Sequence, residues 1–170
     1  MDFPLSQLIT NESEPSQRWF AQEAVRHVPS KVLAQATDGG LLLQANTELE
    51  LELACHAVAQ SYPGARFHKP QVRYLEGPPL QEPYYRIAVT TPEEWLGDVI
   101  TDLSSRRASI TLVQDNDSGK RLSAEIPVNE CFGYGTQLRS LARAQGSYEV
   151  EFIGYRPCWP SDGGAPVNVA

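Results

Sequence analysis

The chain predicts an α+β protein of two tandem ferredoxin-like βαββαβ units, with helices packed on one face of antiparallel sheets. Three observations carry this. Residues 84–152 run through strand and helix patterns in the order strand, helix, strand, strand, helix, strand. Residues 5–74 repeat that order with a blunter pattern, and PPLQEP at 78–83 breaks the chain between them. The expected boundaries are a first unit at 1–77, a linker at 78–81, a second unit at 82–159 and a flexible tail at 160–170.

In the first unit, Leu5 to Thr10 reads as a short strand, and Pro15 lies near the start of a helix that turns Phe20, Ala21, Ala24, Val25 and Val28 inward. KVLAQAT (31–37) and LLLQA (41–45) flank Asp38-Gly39-Gly40, a hairpin signature. The following segment, TELELELACHAVAQSY, has two readings. Glu48, Glu50 and Glu52 alternate with Leu49, Leu51 and Leu53 as in a strand, whereas Leu51, Ala54 and Val58 have helical spacing and Pro63-Gly64 supplies a stop. Periodicity alone leaves both open.

In the second unit, Tyr84 to Val89 is a β-rich run. Thr91, Pro92 and Glu94 have the arrangement of a capping box, and Leu96, Val99, Ile100 and Leu103 form one apolar stripe behind it. Strands are expected at about Ala108–Val113 and Leu122–Val128, joined by the turn-rich loop QDNDSGK. Asn129 opens the next helix; Gly133 and Gly135 loosen its first turn, and Leu138, Leu141 and Ala142 make its apolar face. Gly146 ends it, and Tyr148, Val150 and Phe152 alternate with Glu149 and Glu151 as a final strand.

The bulk properties bound the function. The chain has 170 residues, 41% hydrophobic and 21% charged, as in soluble globular proteins. No stretch approaches the ~20 apolar residues of a membrane span. The opening MDFPLSQLITNESE has no basic and apolar leader pattern, so a cytoplasmic location is expected. Cys55, Cys131 and Cys158 form neither a disulfide framework nor a zinc spacing. The net charge is −7, and both halves are acidic: 6 basic and 9 acidic residues before Gly77, then 8 and 12 from Gly77 on. Because phosphate neutralisation supplies most nucleic-acid affinity, this balance argues against an autonomous RNA binder. Any RNA contact falls to a local patch or is shared with a protein partner.

The segments TPEEWLGDVITDLSSRRASI (91–110) and CFGYGTQLRSLARAQGSYEVEF (131–152) together resemble the C-terminal, or fifth, domain of elongation factor G and related ribosomal GTPases. There the first segment tends to read PEEYLGDVIGDLNRRRG, and the second FGYATDLRS followed by GSY and a strand. Residues 14–77 resemble the third domain of the same factors. TELELEL stands where that family has GMGELHLEV before a helix, and Lys69, Pro70, Gln71, Val72 and Tyr74 match its strand VxxGKPQVAYRET. The resemblance selects helix for the ambiguous segment. It implies third-like and fifth-like units joined directly, without the family's GTPase, second and fourth domains. No GxxxxGK[ST] or other phosphate loop occurs, so no nucleotide or other cofactor is expected. Of GMGELH only Glu48 and Leu49 remain, which weakens the case for docking to a GTPase domain.

In the family the C-terminal domain lies against the large ribosomal subunit, between the stalk base and the sarcin–ricin loop. Carried over position by position, the resemblance implies ribosomal RNA contact through Arg106, Arg107, Tyr134, Thr136, Arg139 and Ser140, with Arg143 a local addition of the same character. Guanidinium groups fork onto phosphates, and a tyrosine beside a glycine-opened helix can stack or donate. Each has a purely structural alternative. Arg106 and Arg107 end a helix, where the dipole favours cations; Tyr134 can shape a helix–strand contact; Arg139 can pair with a carboxylate.

Catalysis finds no residues to carry it. His27, His56 and His68 are isolated, and Cys55-His56 would point about 100° apart on a helix. No GxSxG elbow appears, and Asp115 with Asp117 lacks the ligand series of a calcium loop. The expectation is a non-enzymatic, GTPase-less accessory of translation that binds the large ribosomal subunit near the translation-factor site. Two rivals stand beside it: a protein-interaction module using exposed sheet edges toward a basic partner, and a degenerate translation-factor paralogue with no ribosomal role.

Overall fold

The computed structural model describes residues 2–158, so the tail expected at 160–170 lies outside the described residues. The chain divides into two compact units, Met1–Arg73 and Tyr74–Ala170. Each is a βαββαβ unit with an antiparallel sheet, as its sequence pattern predicts.

In the first unit β1 (Leu5–Asn11) alternates buried and half-buried residues. Helix α1 (Gln17–Ala24) starts at Ser16, whose hydroxyl accepts from Trp19 N–H, and buries Phe20, Ala21 and Ala24. The hairpin β2 (Leu33–Thr37) and β3 (Gly40–Ala45) leads into α2 (Glu48–Ser61). Here the helical reading holds, and the caps explain why. Thr47 Oγ1 accepts from Glu50 N–H at 3.2 Å, while Glu50 Oε2 accepts from the N–H groups of Asn46 and Thr47 at 3.0 and 3.2 Å. This capping box satisfies donors that a strand reading would have left to solvent. The helix buries Leu51, Ala54 and Val58, leaving Leu49 and Leu53 exposed. The KPQV strand is split into β4 (Ala65–Phe67) and β5 (Gln71–Val72), both paired with β1 in a sheet of order β2-β3-β1-β4.

The second unit has the elements β6 (Gln81–Thr91), α3 (Leu96–Ser105), β7 (Ser109–Asn116), β8 (Gly119–Pro127), α4 (Val128–Cys131), α5 (Tyr134–Leu141) and β9 (Ser147–Pro157). Its strand order is β7-β8-β6-β9. Val99, Leu103 and Leu138 from the helices meet Tyr85, Ile87, Val89, Leu122, Ala124 and Ile126 from the sheet, all buried. A fully buried side chain of this kind contributes roughly 1.5–3 kcal/mol.

Four local expectations are corrected. Thr91 does not cap a helix: it is the last residue of β6, paired with Lys120, and Pro92 holds an extended ψ of 148°. A 3₁₀ turn at Glu93–Trp95 precedes α3, whose start carries no side-chain cap. The ladder with β8 overrides the capping signature because it keeps Thr91 extended through the sheet. The loop QDNDSGK is mostly strand, with Asp115 opposite Lys120 and a two-residue turn at Asp117-Ser118. The helix expected from Asn129 is two pieces, separated where Gly133 takes a left-handed φ of 68°. Gln81, read as linker, opens β6, and its N–H and C=O exchange hydrogen bonds with Leu75.

Two glycines occupy matching places in the two units. Gly40 and Gly119 each follow the hairpin turn at φ near 130°. A Cβ on Gly40 would lie 2.3 Å from the carbonyl oxygen of Ile9, and one on Gly119 would lie 2.5 Å from that of Thr91. Only a residue without a side chain lets the hairpin come this close to the unit's first strand.

Candidate nucleic-acid interface

Helix α5 divides its residues cleanly. Tyr134, Leu138 and, just past the helix, Ala142 are buried against the unit, while Thr136, Arg139 and Ser140 fall at i, i+3 and i+4 and are exposed, as is Arg143, two residues beyond the helix end. Of the seven residues singled out from sequence, three therefore share the open face of α5 and Arg143 is exposed at its end. The other three do not join it.

Arg106 and Arg107 are occupied inside the unit. Arg106 donates through Nε to Asp102 Oδ2 and through Nη1 to the carbonyl of Glu130, both at 2.9 Å. Its guanidinium also lies 5.4 Å from the centroid of the Tyr134 ring. Arg107 forks onto Glu82, with Nη1 to Oε1 at 3.2 Å and Nη2 to Oε2 at 3.0 Å, and reaches Glu130 through Nε at 3.3 Å. The hydrogen bond to Glu82 raises its already high pKa. Tyr134 is wholly buried and stands edge-on to Tyr148 with centroids 5.3 Å apart. Its hydroxyl has no hydrogen-bond partner among the described residues. Burial, and then the negative charge of Asp102, push the phenol's pKa well above its ordinary value. Tyr134 is a core residue here.

The ion pairs decide which cations remain for a partner. Between Tyr74 and Cys158 the sequence has eight arginines and lysines. Six lie in ion pairs: Arg86 with Glu151, Arg106 with Asp102, Arg107 with Glu82, Lys120 with Asp115, Arg121 with Glu149, and Arg156 with Glu125. The sheet face opposite the helices is thus covered by alternating arginine and glutamate, its field cancelled locally. Arg139 and Arg143 have no carboxylate partner among the described residues; Arg139 lies on the open face of α5, and Arg143 is exposed just past its end.

Trp95, in the turn before α3, escaped the sequence reading. The Arg143 guanidinium lies over its ring, with Cζ 4.8 Å from the centroid. The signal was present: Trp95 stands where the family segment PEEYLGDV has its tyrosine, an aromatic in a polar helix start.

Among the described residues no helix is long and apolar enough to cross a bilayer. The family model described as Elongation factor G C-terminus matches residues 79–162, just under half of the chain. Among solved structures, a crystal structure of a Thermus thermophilus protein has a TM-score of 0.63 and 17% identity over 94% of this chain. The match spans 42% of that structure's length, and at this identity it speaks to the fold alone. By sequence, the second unit is similar to the elongation factor G C-terminus.

Proposed function

We propose that this protein is a non-enzymatic accessory of translation that binds the large ribosomal subunit near the translation-factor site, using the open face of α5. The observation that carries this reading is the pairing of the cations: among the described residues of an acidic unit, Arg139 and Arg143 have no carboxylate partner, Arg139 sharing the open face of α5 with Thr136 and Ser140 and Arg143 lying exposed just past its end. Guanidiniums and hydroxyls on one helix face suit a phosphate backbone. The match of residues 79–162 to the elongation factor G C-terminus supports a ribosomal partner. The KPQV resemblance supports reading the first unit as third-domain-like, joined directly to the second. No nucleotide is assigned to either unit.

The test is sedimentation of the purified protein with large subunits at two salt concentrations, with elongation factor G as competitor. Salt-sensitive, competable binding that Arg139→Glu abolishes supports the reading. Binding that Arg139→Glu leaves intact sinks it.

One observation favours a protein partner instead. β7 is an edge strand whose residues Thr111 to Asn116 are all exposed, Leu112 and Val113 among them. Such an edge can take up a further strand. Under that reading, a Leu112→Lys substitution would abolish partner binding while Arg139→Glu would not.

A further inference from the structure

The two helices of the second unit end in the same way, with an arginine in the left-handed region. Arg107 has φ 59° and follows α3; Arg143 has φ 46° and follows α5. In each case the next residue's N–H closes the helix by reaching back five residues, Ala108 to Leu103 O at 3.0 Å and Ala144 to Arg139 O at 2.8 Å. That is the Schellman closure, in which the left-handed position usually belongs to glycine because a Cβ is strained there. After Arg143 the strain is repeated, since Ala144 also has φ 63°.

The two arginines differ in what their side chains do. Arg107 commits its fork to Glu82 and Glu130. Arg143 lies on the face of Trp95, and its fork has no hydrogen-bond or ion-pair partner among the described residues. The contact restrains the guanidinium through the quadrupole of the ring without pairing its fork with a carboxylate. A long side chain held this way loses less freedom when a ligand arrives.

Resting on the ribosomal reading above, we infer that Trp95 and Arg143 form a preorganised platform that presents the arginine fork to a phosphodiester of RNA. Trp95 is the positioning residue and Arg143 the contact. The left-handed backbone at Arg143 is the conformational cost of placing a guanidinium where the indole can hold it. Arg139, four residues earlier and on α5 itself, supplies a second exposed cation with no ion-pair partner among the described residues.

The experiment measures binding to purified large ribosomal subunits as a function of salt, for wild type, Trp95→Leu, Trp95→Phe, Arg143→Gly, Arg139→Glu and the double variant Trp95→Leu/Arg143→Gly. Trp95→Leu and Arg143→Gly should each weaken binding about five-fold. Each should also reduce the slope of log K against log salt by about 0.7–0.9, one phosphate contact, although Trp95 carries no charge. The double variant should be no weaker than Arg143→Gly, because tryptophan acts only through the arginine. Trp95→Phe, which keeps a ring face, should retain most of the affinity and guard against a folding artefact. Arg143→Gly should melt no lower than wild type, since glycine suits the left-handed position.

If Arg139→Glu abolishes binding but Trp95→Leu leaves the salt slope unchanged, or its effect adds to that of Arg143→Gly, the platform is wrong and the ribosomal reading stands. If the wild type binds no large subunits at either salt, both fall.

Discussion

The carboxylate of Glu82, buried near the start of β6, accepts both prongs of the Arg107 guanidinium, at 3.2 and 3.0 Å. The pair ties the end of α3 to the first strand of its sheet, and Glu130 completes the cage from the other side. Glu82→Gln keeps the shape but removes the charge. Because Arg107 is half-exposed, solvent recovers part of what is lost, and the expected cost is about 1–2 kcal/mol. A urea denaturation series on the two proteins would show this as a lower midpoint at unchanged slope. A midpoint that does not move would mean the fork is ornamental.

Tyr134→Phe should leave the protein as stable as before or more stable by up to about 1 kcal/mol. Its hydroxyl is buried without a hydrogen-bond partner among the described residues, and a buried unsatisfied polar group is a penalty that phenylalanine avoids. Ribosome binding should be unaffected, since the ring reaches no surface. A thermal melt below that of wild type would reveal a partner for the hydroxyl.

Gly119→Ala is expected to cost on the order of 3 kcal/mol or more. The new methyl would meet the backbone oxygen of Thr91 at 2.5 Å, and neither that oxygen nor Pro92 beside it is the end of a flexible side chain. Gly133→Ala is the control. Gly133 is also left-handed, but a Cβ there meets nothing within 4 Å, so its cost is conformational only, about 1 kcal/mol. Comparable losses in the two variants, read by chemical denaturation, would refute the steric argument.

Cys55 makes stability depend on alkaline pH. Its Sγ donates to Gln7 Oε1 at 3.3 Å, and burial, then the charge of Glu52, push its pKa from 9.0 up to about 11. The folded pKa lies above the unfolded one, so the unfolded chain loses this proton first as pH rises. The contribution is intact below pH 9 and is lost between about 9 and 11. Denaturation midpoints for wild type should therefore fall more steeply across this interval than those of Cys55→Ala, with parallel curves as the contrary result. Alkylation of Cys55 at pH 8 should be slow for the same reason.

Much of this architecture is legible in sequence because hydrophobic period and turn chemistry are local. The Asp38-Gly39-Gly40 hairpin and the Val99–Leu103 stripe can be read from a few neighbours. What is not legible depends on distant chain. Thr91, Pro92 and Glu94 have the composition of a helix start, yet pairing with Lys120 across the sheet keeps Thr91 in a strand. Thr47 and Glu50 form the same kind of box without such competition, and there it holds. The site follows the same rule. The period of α5 places Thr136, Arg139 and Ser140 on one face, whereas the carboxylates that occupy Arg106 and Arg107 include Glu82, far back in sequence. Trp95 is marked in sequence as an aromatic in a polar helix start, but its partner Arg143 is set by the fold, from a residue far on in the chain.

The matching glycines at 40 and 119 bear on how each hairpin finds its alignment. A strand displaced by one residue turns its apolar side chains outward. In one direction that displacement would also bring Leu41 or Lys120 toward a carbonyl that leaves room for no side chain; in the other it would bring Ser118 in the second unit but Gly39, which has none, in the first. The close approach thus works as a gauge of register during folding, in both directions in the second unit and in one in the first: the correctly threaded hairpin can seat against the first strand, and a hairpin slipped that way is held away from it.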